Sequence, residues 1–244
     1  MSECLNDMVE HAERNQKIYD MINNDDKNCT EFNEPETYLK FLGVNGNWKD
    51  VYDSAMTTID KESDKEPSSS WKERMLFSEH SPIRMISFKA KWYFLKYFVH
   101  THFRTHKIGI EHFVKSSRDD ITGIKRSTIS QEAPVNHKIL ANMQAIINIS
   151  QFRLCYKADK ETIKSWRMFL DSFKNIEPEL YRMCVKRCVY RNGLCPEMKS
   201  CGYNHTKEFE NELKEYIKPI NHQINRNTSI LNSTCITDGV CRFN

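Results

Sequence analysis

From Arg84 to Trp92 the chain reads RMISFKAKW, with Ile86, Phe88, Ala90 and Trp92 alternating with Ser87, Lys89 and Lys91. A period of two does not fit a helix, because only an extended strand sends successive side chains to opposite faces. The stretch therefore predicts a half-buried strand, whose edges need partners and whose apolar face needs a cover. The cover comes from segments with a helical period. From Pro134 to Ala158 the stripe Ile139, Met143, Ile146, Ile147, Ser150 and Leu154 predicts one long helix. KETIKSWRMFLDSFKNI (160–176) carries a second stripe of Ile163, Trp166, Phe169, Leu170 and Phe173. YFLKYFVHTHF (93–103) reads as a short apolar helix, and a further helix is expected around 206–217. The class expected is helix-rich α+β.

The N-terminal part is more broken. NEPETYLKFLGV predicts a helix that starts near Pro35 and stops near Gly43. GNWKDVYDSAMTTID predicts another, with Trp48, Val51, Tyr52 and Met56 on one side. DKESDKEPSSS (60–70) reads as a charged linker whose serines cap a helix from Trp71 to about Glu79. This divides the chain into a helical N-terminal extension (1–70), a core (71–183), a Cys-rich segment (184–206) and a C-terminal helix with a polar tail (207–244). Thirteen Phe, ten Tyr and four Trp supply a substantial core. No apolar run approaches the ~18 residues that span a bilayer. The polar start MSECLNDMVEHAERNQKIYD is unlike a signal peptide. A cytoplasmic protein is expected, in the host cytoplasm if the chain is viral. A net charge of +3 argues against bulk nucleic-acid binding.

HTHFRTHKIGIEHFVKSSRDD (100–120) concentrates His100, His102, His106 and His112 among cations. Arg104 and Lys107 would repel a metal ion, whereas the same cations suit an anion. Arg104, His106, Lys107, Ser116, Ser117 and Arg118 form a phosphate-binding set, and Gly109 permits a close backbone approach. The alternative is a basic solvated loop. In the long helix expected over 134–158, Asn142 and Arg153 lie about 20° apart on the wheel and share a face at the edge of the stripe. That position suits a cleft wall, and equally suits snorkelling or capping residues. Asn148 points the other way on an ideal helix.

HSPIRMISF (80–88), R-T-H with SSR twelve residues after Arg104, and N-x5-N-x4-R (Asn142, Asn148, Arg153) occur in this order. Together they resemble the flavin-dependent thymidylate synthase family over about residues 77–182. The resemblance implies a helix-rich α+β fold with a small antiparallel sheet, and a homotetramer with FAD and dUMP bound where subunits meet. It implies transfer of a one-carbon unit from methylenetetrahydrofolate to C5 of dUMP through reduced FAD, with NADPH as reductant. By the same resemblance Ser81, Arg104, His106, Asn142 and Asn148 contact the flavin. Ser116, Arg118 and Arg126 bind the nucleotide, and Arg153 lies beside the pyrimidine as the catalytic residue. The chain departs from the family pattern in reading Arg-Thr-His for Arg-His-Arg and in a longer stretch from Arg104 to Arg118. A related C5 modification such as hydroxymethylation is the alternative reaction.

Four of nine cysteines crowd into 184–201. Cys188, Cys195, Cys201 and His205 space as C-x6-C-x5-C-x3-H, close to a Cys3His zinc finger, with Gly193, Pro196 and Gly202 for the turns. The alternative is four free thiols. Cys184 is a spare, Cys155 reads as a small buried residue, and Cys235 and Cys241 as tail thiols. A structural clip is the favoured role. The rival is a non-catalytic zinc-finger protein that binds nucleic acid by stacking bases on Tyr190 and Tyr203.

Overall fold

The computed structural model describes residues 36–63 and 65–218. The elements run β1 (Tyr38–Asn45), α1 (Trp48–Thr57), α2 (Ser69–Phe77), β2 (Ser87–Lys96), α3 (Tyr97–Arg104), β3 (Ile110–Val114), a single turn α4 (Asp119–Thr122), β4 (Pro134–Asn142), α5 (Met143–Arg153), α6 (Lys160–Phe173), α7 (Pro178–Met183) and a single turn α8 (Arg187–Tyr190). A last helix, α9, covers 207–218. Pro35, the rest of the N-terminal 35 residues, and Cys235 and Cys241 lie outside the described residues.

The four strands form one antiparallel sheet in the order β1-β2-β4-β3. The alternation read in 84–92 holds: Phe88, Ala90 and Trp92 are fully buried, while Lys89 and Lys91 are half-buried on the outer face. The strand runs on to Lys96 past an irregularity at Phe94, whose φ is +54°. Behind the inner face lie α5 and α6. Trp92 packs against Phe103, Trp166 and Phe169, with ring centroids 5.1–6.5 Å apart. Its indole N–H donates to the Ser165 carbonyl at 3.0 Å, and that of Trp166 to Ser150 Oγ at 2.9 Å. The core thus buries two large aromatics without leaving either donor unpaired.

Three expectations fail: of the helix expected over 93–103, residues 93–96 belong to β2 and the helix is only Tyr97–Arg104. The helix expected from Pro35 to Gly43 is strand β1, which pairs with β2 and stacks Tyr38 on Tyr93 at 4.7 Å. The long helix expected over 134–158 is two elements, strand β4 followed without a loop by α5. In α6 the expected stripe is buried at Trp166, Phe169, Leu170 and Phe173 and half-buried at Ile163, with Asp159 capping the N-terminus through the amides of Glu161 and Thr162. Ser68 caps α2 in the same way through Trp71. Among the described residues, no helix is long and apolar enough to cross a membrane.

Candidate active site

The site is built where α5 ends against the end of α3. Arg153 is the last residue of α5, and its guanidinium caps the carbonyl end of α3. Nε donates to His106 Nε2 at 3.0 Å, and Nη2 donates to the His102 carbonyl at 2.7 Å and to Thr105 Oγ1 at 2.8 Å. Three bonds fix the plane of the fork. Nη1 makes no hydrogen bond among the described residues, so two charged donors are left for a ligand.

To accept from Arg153, His106 must be neutral. Burial first, then the charges of Arg153 and His112, hold it down at about 4. Behind it runs a chain of imidazoles. His112 Nε2 lies 2.9 Å from the His106 carbonyl and His112 Nδ1 lies 3.0 Å from His137 Nε2. A carbonyl only accepts, so His112 donates from Nε2 and accepts at Nδ1 from the N–H of His137 Nε2. His137 is fully buried on β4, and its Nδ1 has no hydrogen-bond partner among the described residues. Burial, followed by His112, His100 and Arg104, lowers His137 to about 3.

A second group lies on the segment between β3 and β4. Arg118 donates from Nε and Nη2 to Asp120 at 2.9 and 2.6 Å, and its own amide donates to Ser116 Oγ at 3.2 Å. Arg126 reaches Ser117 Oγ from Nε at 3.3 Å, and its amide donates to Asp119 at 3.0 Å. Arg118, Arg126 and Arg104 are exposed. An exposed ion pair such as Arg118–Asp120 is worth about 0–1 kcal/mol, so a doubly charged phosphate can take Arg118 from it at little cost.

Of the residues expected at the site, the structure joins Arg153 and His106 directly. Asn142 sits elsewhere than expected: it is the N-cap of α5, accepting from the Ala145 amide at 2.9 Å, and is no member of a helical face. Its amide N–H donates to the Gly109 carbonyl at 2.9 Å, and a Cβ on Gly109 would fall 2.7 Å from its side chain. Gly109, at φ +72°, thus packs closely against Asn142, where the sequence suggests an approach to a bound phosphate. Asn148 is half-buried on the side of α5 that also holds Gln144 and exposed Phe152. Ser81 is exposed at the start of the 3-10 turn Ser81–Met85. Among the described residues, no hydrogen bond joins Ser81, Ser116, Arg118 or Arg126 to Arg153. Thr105, seen in the sequence only as a departure from the motif, is a direct partner of the guanidinium. His137 carried no signal in the sequence.

The zinc set Cys188, Cys195, Cys201 and His205 is not assembled. Among the described residues, no three of His, Cys, Asp and Glu are placed to hold a metal ion. The 3-10 turn Tyr203–His205 buries Tyr203 and turns Asn204 inward to the Gly193 carbonyl at 3.0 Å, which leaves His205 exposed.

No family model matches the chain, and no curated protein matches it. Solved structures do. Thymidylate synthase X from Helicobacter pylori, crystallised with FAD and dUMP, matches with a TM-score of 0.52 at 11% identity, over 62% of this chain and 100% of that one. A second structure, of the flavin-dependent thymidylate synthase ThyX of Helicobacter pylori complexed with FAD and dUMP, matches with a TM-score of 0.50 at 12% identity, over 61% and 100%. The four-stranded antiparallel sheet and the helices packed on it are thus the fold of a flavin-dependent thymidylate synthase.

Proposed function

We propose that this chain is a flavin-dependent enzyme that adds a one-carbon unit to C5 of dUMP. The observation that carries the reading is the Arg153 guanidinium, held flat by His106, Thr105 and the end of α3 with Nη1 unengaged, on a fold that spans the whole length of a ThyX chain. A uracil ring made nucleophilic at C5 gathers negative charge on its carbonyl oxygens. A fixed cation with two spare N–H groups stabilises that charge without having to reorganise. Neutral His106 supports this role because it accepts from Arg153 and adds no competing charge.

Arg118, Arg126 and Ser116 would hold the nucleotide phosphate. The donor set also suits a dinucleotide: exposed Arg104 and Lys107 match a diphosphate, and Gly109 allows backbone approach beside Asn142. Ser81 and Asn148 complete the residues assigned to FAD. Reduced flavin, when bound, supplies the electrons that convert the added carbon to a methyl group, with NADPH as the reductant and methylenetetrahydrofolate as the carbon donor. No protein nucleophile is required. Burial raises the Cys155 thiol, which argues against a free thiolate nucleophile there. Because no hydrogen bond among the described residues links Ser81 or the 116–126 cluster to Arg153, we assign complete sites to the contacts of a homotetramer.

Incubation with dUMP, methylenetetrahydrofolate and NADPH tests the reading. Thymidylate is the expected product. A hydroxymethylated nucleotide would move the assignment to the related C5 modification, which needs the same polarised pyrimidine but leaves the added carbon unreduced. A colourless protein that takes up neither FAD nor dUMP would overturn both.

A further inference from the structure

A cavity of about 200 Å³ opens beside Arg153. Its walls hold four thiols from two distant parts of the chain: Cys155, two residues past the end of α5, and Cys188, Cys195 and Cys201. We propose that these four cysteines form a tetrathiolate zinc site, with Cys155 in the place that sequence spacing gives to His205, and that the metal clips the Cys-rich segment onto the end of α5.

Three features of the cavity carry this. The first is composition. Thiolate sulfur selects zinc over the hard cations, and four sulfurs complete a closed tetrahedral shell with no position left for catalysis. His205 is exposed and does not line the cavity, whereas its neighbour Asn204 does. The second is charge. Zinc with four thiolates carries a net charge of about −2. Arg153, Lys157 and Arg187 line the same cavity and offset it, three cations against the one carboxylate there, Glu197. These cations would oppose a bare metal ion but favour the assembled anionic centre. The third is freedom to close. Among the described residues the thiols stand around the wall and no three converge on a point. Cys195 and Cys201 lie on a stretch, 191–202, that has no helix or strand. Gly193 and Gly202 at its ends both have positive φ. Drawing these two sulfurs inward breaks no ladder or helical hydrogen bond, while Cys188 on α8 and Cys155 after α5 serve as the fixed half of the site. The thiols are near enough to feel one another, Cys155 with Cys195 and Cys201, and Cys188 with Cys155. Binding would release the four thiol protons.

The test uses the full chain, purified without added metal or chelator, and reads the metal rather than the reaction. About one zinc per chain is expected, with four sulfur neighbours at about 2.3 Å in zinc-edge X-ray absorption. Cys155→Ser should lower zinc affinity at least tenfold, and His205→Ala should leave it unchanged. A shell containing imidazole, zinc lost in His205→Ala but kept in Cys155→Ser, or full-length protein that takes up no zinc would overturn the proposal. If Cys155→Ser does not fold, the absorption spectrum of the unaltered protein still separates four sulfurs from three sulfurs and a nitrogen. None of these measurements depends on flavin or dUMP, so this proposal and the proposed reaction fail separately.

Discussion

Arg153 commits three of its five N–H donors to the end of α3 and keeps two. A lysine keeps the charge but is a single point on a flexible stem, so it cannot bridge His106, Thr105 and the His102 carbonyl together. Arg153→Lys is therefore expected to lose about 100-fold or more in turnover, the scale of a lost oxyanion donor, with its melting profile near that of the parent. Turnover within threefold of the parent would place the fork outside the chemistry. Arg118 is a different case, since its partner Asp120 is exposed and the pair stabilises the fold little. Arg118→Ala should weaken dUMP binding by about 1.5–3 kcal/mol, the range for a lost hydrogen bond to a charged group, while FAD affinity stays the same. Titration of both ligands checks this, and equal nucleotide affinity would remove Arg118 from the phosphate site. Residue types were legible in the sequence at this scale, because Arg and His are placed by the chemistry they perform. Partners were not. Thr105 holds Arg153 across 48 positions of sequence, and no local pattern carries such a contact.

At the scale of elements, the junction between β4 and α5 governs the site. Asn142 ends the strand and caps the helix, so the sheet passes into α5 with no loop between them. Asn142→Ala should cost about 1 kcal/mol through the lost cap. Gly109→Ala combines positive φ with a Cβ pressed 2.7 Å from the Asn142 side chain, and should cost more, about 1–3 kcal/mol. Urea unfolding of both variants gives the order, and a neutral Gly109→Ala would mean that Asn142 yields freely. The same junction explains the misreading of 134–158. Val135, His137, Ile139 and Ala141 do alternate, but the buried position at 137 holds a histidine, which hides the period of two. Ile139 and Met143, four apart, then mimic a helical step although one lies on the strand and the other begins the helix. In β1 the hydrogen bonds come from β2, a partner some fifty positions away, so a helical reading of 35–43 had nothing local to contradict it. The strand over 87–92 and the helix at 160–173 were legible because each shows one clean period there, whereas 93–96, at the break in the strand's period, resemble the start of the helix that follows.

For the molecule as a whole, acid is the condition that separates the folded from the unfolded chain. His106 and His137 titrate at about 4 and about 3 when folded, against about 6.5 when unfolded. The unfolded state thus binds more protons below pH 6.5. The stability that neutral imidazoles provide is complete above that value and is lost as pH falls toward the folded values. At pH 5 the fully buried His137 should account for about 2 kcal/mol of this loss, and half-buried His106 for less. Denaturation at pH 7 and pH 5 should therefore show a smaller drop for His137→Phe than for the parent, and parallel drops would sink the claim. The imidazole chain also has a mechanical meaning. From Arg153 it runs through His106 and His112 to His137 on β4, and β4 returns through α5 to Arg153, so the path is a closed frame. The strut that carries Arg153, α5, has eleven residues and measures about 16 Å. Pivoting that strut by about 5° at Asn142 would carry Arg153 roughly 1.4 Å, and shifts of about 1 Å can cost a hundredfold in rate. A closed frame resists such pivoting at every corner, so softening any corner should be felt at the catalytic end, and loss of rigidity and loss of rate should track each other across variants of the frame.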